Sequence, residues 1–410
     1  MKGIKNLNQI LTLEGVAKKN GRHPKREDLS IIEDGAIVFN KDEILWIGKT
    51  DSIPLEYQDV SFLDGSNRIL TPEIVDSHTH LVFGGDRSWE YGMRLDGADY
   101  QDIAKAGGGI LSTMRMTNEL SEDELYELAI ERVQKIHSYG VGTIEVKTGY
   151  GLTIESELRC ARVIKRLKEK FNPKIKIFST FMPAHAVPKQ YKSVKEYMDQ
   201  VVYPATEKAL AEGLLDAVDI FHEVGYFDNA ITEEFLNWAT EKGLPIKMHV
   251  DEFNDNGGAS LAAKFKALSC DHLLCVGDKG LEDLKESETV ATILPGTGFF
   301  LGKPQAPARK LIDSGARLAI ASDYNPGSCH CDNLVLISSL AAPHMNLSLA
   351  ELWSGITYNA AGALGLDNQG SLLIGQSPRF SVFQAKILDE ITYNWGVNKA
   401  DPDFITQVYS

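Results

Sequence analysis

The chain has 410 residues, more than one compact core holds and enough for two domains or one large barrel with additions. Its 42 basic and 57 acidic side chains leave a formal net charge of −15, which argues against nucleic acid or an anionic membrane as partner, since both need a basic footprint. Five cysteines without a repeated spacing make no disulfide framework, and no apolar run is long enough to span a bilayer, so a cytoplasmic protein is expected.

In chain order, residues 1–70 carry short strand and turn signals. Gly35-Ala-Ile-Val-Phe39 and Ile44-Leu-Trp-Ile-Gly48 read as a hairpin across the polar residues 40–43. From Ile74 the texture changes to eight apolar, β-branched runs, at 74–80, 142–148, 175–183, 216–222, 245–250, 267–272, 289–294 and 316–322. Continuous apolar runs are what parallel strands buried on both faces require. Amphipathic segments separate them. The clearest is 121–140, where Ser121 and Glu124 form a capping box, Leu125, Leu128, Ala129, Val133 and Ile136 share a face, and Gly140 stands at the stop.

This alternation predicts an α/β protein with a (β/α)₈ barrel over 71–358. No Gly-x-Gly-x-x-Gly follows the first strand, which speaks against a doubly wound sheet. The tail, 359–410, returns to strand-like runs at Ser371-Leu-Leu-Ile374 and Arg379-Phe-Ser-Val-Phe383. With 1–70 it is expected to complete a small β-sandwich domain.

Catalytic groups of such barrels stand at the C-terminal ends of the strands, and the polar residues here cluster there. The first run ends Asp76-Ser-His78-Thr-His80; with a strand period of two, both histidines point the same way and can share one metal. The fifth ends His249-Val-Asp251-Glu252, the sixth Asp271-His272 and the eighth Ser322-Asp323. Four apolar strands each ending in a ligand type make incidental polar ends a poor explanation. Imidazoles with a carboxylate suit one Zn²⁺ or Fe²⁺/Fe³⁺ and do not suit calcium or magnesium.

The pattern resembles the amidohydrolase superfamily. Four longer blocks, Gly107-Gly-Gly-Ile110, Thr143-Ile-Glu-Val-Lys-Thr-Gly-Tyr-Gly-Leu152, Pro183-Ala-His-Ala-Val-Pro188 and Ala321-Ser-Asp-Tyr-Asn-Pro-Gly-Ser328, look like the imidazolonepropionase family. The resemblance implies hydrolysis of the cyclic amide 4-imidazolone-5-propanoate to N-formimidoyl-L-glutamate in L-histidine degradation. It implies His78, His80, His249 and Asp323 as ligands of a single metal, with a metal-activated water as nucleophile. The fourth run ends Asp219-Ile-Phe-His-Glu223 without the lysine that dinuclear relatives carboxylate, and Lys147 reads as structural or an ion-pair partner.

By the same matching, Glu252 moves the proton from water to the leaving ring nitrogen, His272 orients the nucleophile or stabilises the oxyanion, and Asp323 serves as ligand and as proton acceptor. Arg87 binds the substrate carboxylate, which the net charge of −15 otherwise repels. Tyr150, His185, Asn325, Gly327 and Ser328 join Arg87 and Glu252 as substrate-binding residues, with Tyr100 a weaker candidate for the pocket wall. The implied partners are a small anionic substrate and a second copy of the chain in a homodimer.

Two features depart from the family pattern. Pro72-Glu73 stands where Pro-Gly is usual, and Cys329-His330-Cys331 follows Ser328. C-x-C is a poor zinc pair, and buried thiols explain it better than a second metal site. The enzyme alternative is a related amidohydrolase or deaminase acting on another small cyclic amide or amidine, which would not need Arg87. A metal-stabilised barrel without turnover is disfavoured by the presence of both Glu252 and His272.

Overall fold

The computed structural model describes residues 1–409, leaving out the side chains of Tyr100, Gln101, Ala104 and Tyr409. The expectation for Tyr100 therefore lies outside the described residues. Eight parallel strands follow one another in chain order: Ile74–Asp76, Val141–Lys147, Lys176–Ala184, Ala217–His222, Ile246–Val250, Ser269–His272, Val290–Ile293 and Arg317–Ile320. Nearly every residue in them is buried, as helices cover the outer face and side chains fill the inner one. Burying a side chain the size of isoleucine is worth about 1.5–3 kcal/mol, and these strands supply the main core.

The barrel closes at its C-terminal end. Thr79 bridges to Tyr324, the His80 amide donates to the Tyr324 carbonyl at 2.9 Å, and the Asp323 amide donates to the His78 carbonyl at 3.0 Å. The first and last strands are shorter than the apolar runs 74–80 and 316–322. Ser322 donates its amide and hydroxyl to the Asp76 carboxylate, at 3.0 and 2.6 Å, and Asp323 turns left-handed at φ 52°. Side-chain bonds and a turn replace the regular ladder where the ligand candidates stand.

The expected capping box closes the helix Glu122–Ser138: Ser121 Oγ accepts the Glu124 amide at 3.3 Å and Glu124 accepts the Ser121 amide at 2.8 Å. Ile130 rather than Leu128 completes its buried stripe with Leu125, Ala129, Val133 and Ile136. That stripe faces the barrel strand Val141–Lys147 and the helix Ile154–Phe171.

A second, six-stranded mixed sheet combines Lys2–Leu11, Ile31–Phe39, Ile44–Lys49, Phe62–Asp64 and Ile69–Pro72 with Phe380–Phe383 from the tail. The expected hairpin pairs Ile31–Phe39 with Ile44–Lys49, and Asn40 Oδ1 accepts the Asp42 and Glu43 amides to close its turn. Residues 371–374 are not a strand; Leu372 gives its amide to Thr12 in a single cross-link.

Glu73 joins the two parts. It receives the Arg379 guanidinium through two bonds of 2.6 and 2.7 Å and the Thr143 hydroxyl at 2.7 Å. The departure from Pro-Gly thus places a buried carboxylate at the seam between barrel and sheet. A β-carbon at Gly142 would lie 2.0 Å from Glu73 Oε1, so glycine is required opposite it.

Candidate metal centre and active site

Three imidazoles converge at the closing end of the barrel. His249 Nε2 lies 3.3 Å from His80 Nε2, Asp323 Oδ1 stands 3.6 Å from His78 Nε2 and 4.0 Å from His80 Nε2, and the ligand atoms of the three histidines all fall within 4.8 Å of one another. All four side chains are buried. His78 Nδ1 contacts Asp271 Oδ2 at 2.6 Å and His249 Nδ1 contacts Asp219 Oδ1 at 3.0 Å. A carboxylate on Nδ1 holds the proton there and leaves the Nε2 lone pair facing inward.

Burial pushes His78, His80 and His249 well below the ordinary imidazole range, helped by Lys147 and by their mutual proximity. Neutral imidazole is the form that ligates a metal. His78 Nε2 has no hydrogen-bond partner among the described residues. A buried, bare nitrogen lone pair beside two others and a carboxylate fits one cation of the zinc or iron type.

A layer of fully buried charge lies beneath. Lys147 Nζ stands 2.7 Å from Asp219, 3.0 Å from Glu145 and 3.5 Å from Asp271; Lys247 Nζ is 3.6 Å from Glu145 and 3.7 Å from Asp271. Burial opposes the Lys147 charge, but Asp219, Glu145 and Asp271 outweigh it and hold the ammonium above the ordinary lysine range. His78, Glu145 and Asp271 also have metal-ligand spacing. The two ammonium groups already neutralise that cluster, so it does not read as a second centre.

Glu252 and His272 stand above the imidazoles, with 3.8 Å between His272 Nε2 and Glu252 Oε2. Burial, then Asp323 and Glu223, raise the Glu252 carboxyl to about 8. Burial likewise lowers His272 to about 4 and raises Asp323 to about 7, the latter against a 2.6 Å bond from Thr297 Oγ1. A cation among the imidazoles lowers both carboxyls again. Asp251 and His272 are left-handed, at φ 51° and 82°, as the chain turns out of its strands. The neighbours of Glu252 are pinned: Asp251 accepts the Gly258 and Ala259 amides, and Glu223 accepts those of Phe253 and Asn254.

The expected substrate contacts gather on the same side. His185 stacks on His80 with ring centroids 5.0 Å apart, and Tyr150 lies 5.7 Å from His80 and 5.5 Å from His185. Arg87 contacts Glu90 through two bonds of 2.7 and 2.8 Å. A β-carbon at Gly327 would meet Arg87 Nη1 at 1.9 Å, so the guanidinium rests on bare backbone. Asn325 spends its amide on its own loop, accepting the Gly327 and Ser328 amides and donating to the Asp323 carbonyl and Ser328 Oγ. Its place is to shape the loop from Asp323 to Ser328. Cys329 is buried and Cys331 half-buried, with neither in a metal-spaced group among the described residues.

Asp219, Asp271, Thr297, Glu223, Glu90 and Arg94 enter the site without a motif of their own in the sequence. For Asp219 and Asp271 a signal existed: a carboxylate inside an otherwise apolar strand run is costly without a partner. No helix of the described residues is long and apolar enough to cross a membrane.

The model of the amidohydrolase family matches residues 69–405. An imidazolonepropionase of Paracoccus denitrificans is 40% identical over 370 residues, 90% of this chain and 92% of that protein. One of Bacillus velezensis is 38% identical over 398 residues, 96% of this chain and 93% of that protein. Among solved structures, an atrazine chlorohydrolase from Arthrobacter aurescens TC1 complexed with zinc superposes with a TM-score of 0.70 at 15% identity, covering 98% of this chain and 93% of that one. A 5-methylcytosine deaminase from Klebsiella pneumoniae gives 0.70 at 15%, covering 95% and 93%. These two share the fold. The family match across the barrel and the identity to those relatives over nine-tenths of the chain agree: the chain belongs to the imidazolonepropionases of the amidohydrolase family.

Proposed function

We propose that this chain hydrolyses 4-imidazolone-5-propanoate to N-formimidoyl-L-glutamate in L-histidine degradation, using one zinc or iron ion held by His78, His80, His249 and Asp323. The observation that carries the reading is the loop from Asp323 to Ser328. One end bears a carboxylate among three neutral imidazoles, and the other bears the backbone against which the Arg87 guanidinium lies.

When bound, the metal lowers the pKa of water towards neutrality and polarises a carbonyl. Arg87 fixes the propanoate and so sets which ring atom faces the imidazoles. Tyr150 and His185 flank the ring. Glu252, with a carboxyl near 8 before cation binding, is suited to take a proton from water and return it to the departing ring nitrogen. Neutral His272 stands against Glu252 and donates a hydrogen bond to the oxygen that gains charge. Water adds to the amide carbon, the ring C–N bond breaks, and the nitrogen leaves protonated.

Loss of the ring chromophore of freshly generated substrate tests this, with wild type, Glu252→Gln and Arg87→Ala compared at known metal content. Expected are fast loss with wild type, a fall of about 10²–10⁴ in kcat for Glu252→Gln, and a raised KM for Arg87→Ala. No loss from metal-replete wild type sinks the proposal. An unchanged kcat/KM in Arg87→Ala redirects it to a neutral cyclic amide or amidine.

A further inference from the structure

Arg87 alone is a poor anion receptor, because its charge is already matched. Glu90 is fully buried and takes Arg87 Nε and Nη2 in a two-bond fork, so the pair is neutral. A carboxylate approaching Arg87 meets no net positive charge from that pair, inside a protein of net charge −15.

Arg94 changes the local sum. It lies four residues beyond Glu90 on the helix Ser88–Leu95, with Nη2 3.7 Å from Glu90 Oε2 and 3.0 Å from the Gly327 carbonyl oxygen, to which it donates. Both guanidiniums therefore abut Gly327, one against its α-carbon and one on its carbonyl. Among the described residues Glu90 is the only carboxylate within 4.0 Å of either arginine. Two cations against one anion leave one positive charge. Arg94 Nη1 is buried and has no hydrogen-bond partner among the described residues, and the Nη1 edge of Arg87 is not used by Glu90. Glu90 also accepts the Gly109 amide at 3.0 Å, and a β-carbon at Gly108 would meet its Oε1 at 2.8 Å, which ties the glycine run 107–109 to the same carboxylate.

We propose that Arg87, Arg94 and Glu90 form one preorganised receptor for a monoanionic carboxylate, with Arg94 as the second, specificity-determining cation and Glu90 as the fixed counter-ion that holds both in place. This rests on the reading that the substrate carries a propanoate beside Arg87. Two guanidiniums crossing one glycine leave little side-chain entropy to lose on binding.

The test is calorimetric binding of 3-(imidazol-4-yl)propanoate and of its uncharged amide to the metal-loaded protein. Wild type, Arg94→Gln, Arg94→Lys, Glu90→Gln and Arg87→Ala are compared, with metal content and Tm recorded for each. Arg94→Gln is expected to weaken the propanoate by about tenfold or more, the worth of one charge-assisted contact, while affinity for the amide and metal content hold. KM for substrate rises with kcat unchanged, and Arg94→Lys recovers part of the loss. Glu90→Gln weakens the propanoate too, through loosened arginines, although it removes a negative charge. Equal weakening of both ligands by Arg94→Gln, or of neither, overturns the role of Arg94; a gain in propanoate affinity with Glu90→Gln overturns that of Glu90. A wild type that does not prefer the propanoate to its amide, or an Arg87→Ala that keeps the preference, overturns the underlying reading instead.

Discussion

Glu252 is a carboxyl whose environment favours the proton. Burial beside Asp323 and Glu223 raises it to about 8, against 4.5 in an open chain, so it stabilises the metal-free fold fully below 4.5 and that contribution is lost as pH rises to 8. Asp323, raised to about 7, acts in the same direction. His185 and His272, lowered to about 4, act oppositely, but only below the ordinary imidazole value of 6.5. Between pH 6.5 and 8 the carboxyls are left to dominate. Metal-free wild type is expected to lose about 1–2 kcal/mol more over that window than Glu252→Gln, as followed by denaturant unfolding. A parallel pH dependence of the two proteins refutes the burial argument.

The histidine positions were legible because a strand alternates every two residues, so His78-Thr-His80 needs only local geometry. The residues that orient them were not. Asp271 is 193 residues from His78 and reaches it across the barrel interior from the sixth strand, while Asp219 is 30 from His249 and meets it from the adjacent fourth strand. Lys147 touches both carboxylates. Lys147→Met is expected to leave them mutually repelling, lower metal occupancy and weaken affinity by about 10–100-fold, measured by competition with a chelator. Lys147→Arg, which keeps the charge, separates this effect from loss of packing. Full occupancy in a folded Lys147→Met shows that Asp219 and Asp271 hold the histidines unaided.

Between elements, two contacts tie the parts of the molecule together. Glu73, where the family pattern has glycine, binds Arg379 and Thr143 at the seam of barrel and sheet. Arg379→Ala leaves a buried carboxylate without its cation and is expected to cost about 3–5 kcal/mol of stability by chemical denaturation. A change under 1 kcal/mol would place that carboxylate in contact with water. The loop after the eighth strand is the other. Gly327→Ala drives a methyl into Arg87 and is expected to raise KM with metal content intact; an unchanged KM means that Arg87 moves aside freely.

At the scale of the molecule, the imidazoles and Asp323 meet where the barrel closes, so a metal held there as proposed would be thermodynamically linked to the fold. Chelation is expected to abolish turnover and lower Tm. Returning zinc or iron to 100 times its Kd restores about 2.7 kcal/mol, read as a concentration-dependent Tm by calorimetry. A Tm that ignores metal argues that the centre lies outside His78, His80, His249 and Asp323.

The amino-acid order alone carried the eight apolar runs, the capping box at Ser121, the hairpin at Asn40 and the ligand types at strand ends. All of these are short-range periodicities or spacings that burial and backbone geometry impose within a few residues. Tertiary structure decided the rest. Residues 371–374 look like a strand but make only the Leu372–Thr12 cross-link; Lys147 and Lys247 offset carboxylates drawn from three strands, Glu145, Asp219 and Asp271; and Glu90 gathers Arg87, Arg94 and the Gly109 amide beside Gly327. Such contacts depend on strand register and on the closing of the barrel, which bring together groups distant in the chain. No local period records them.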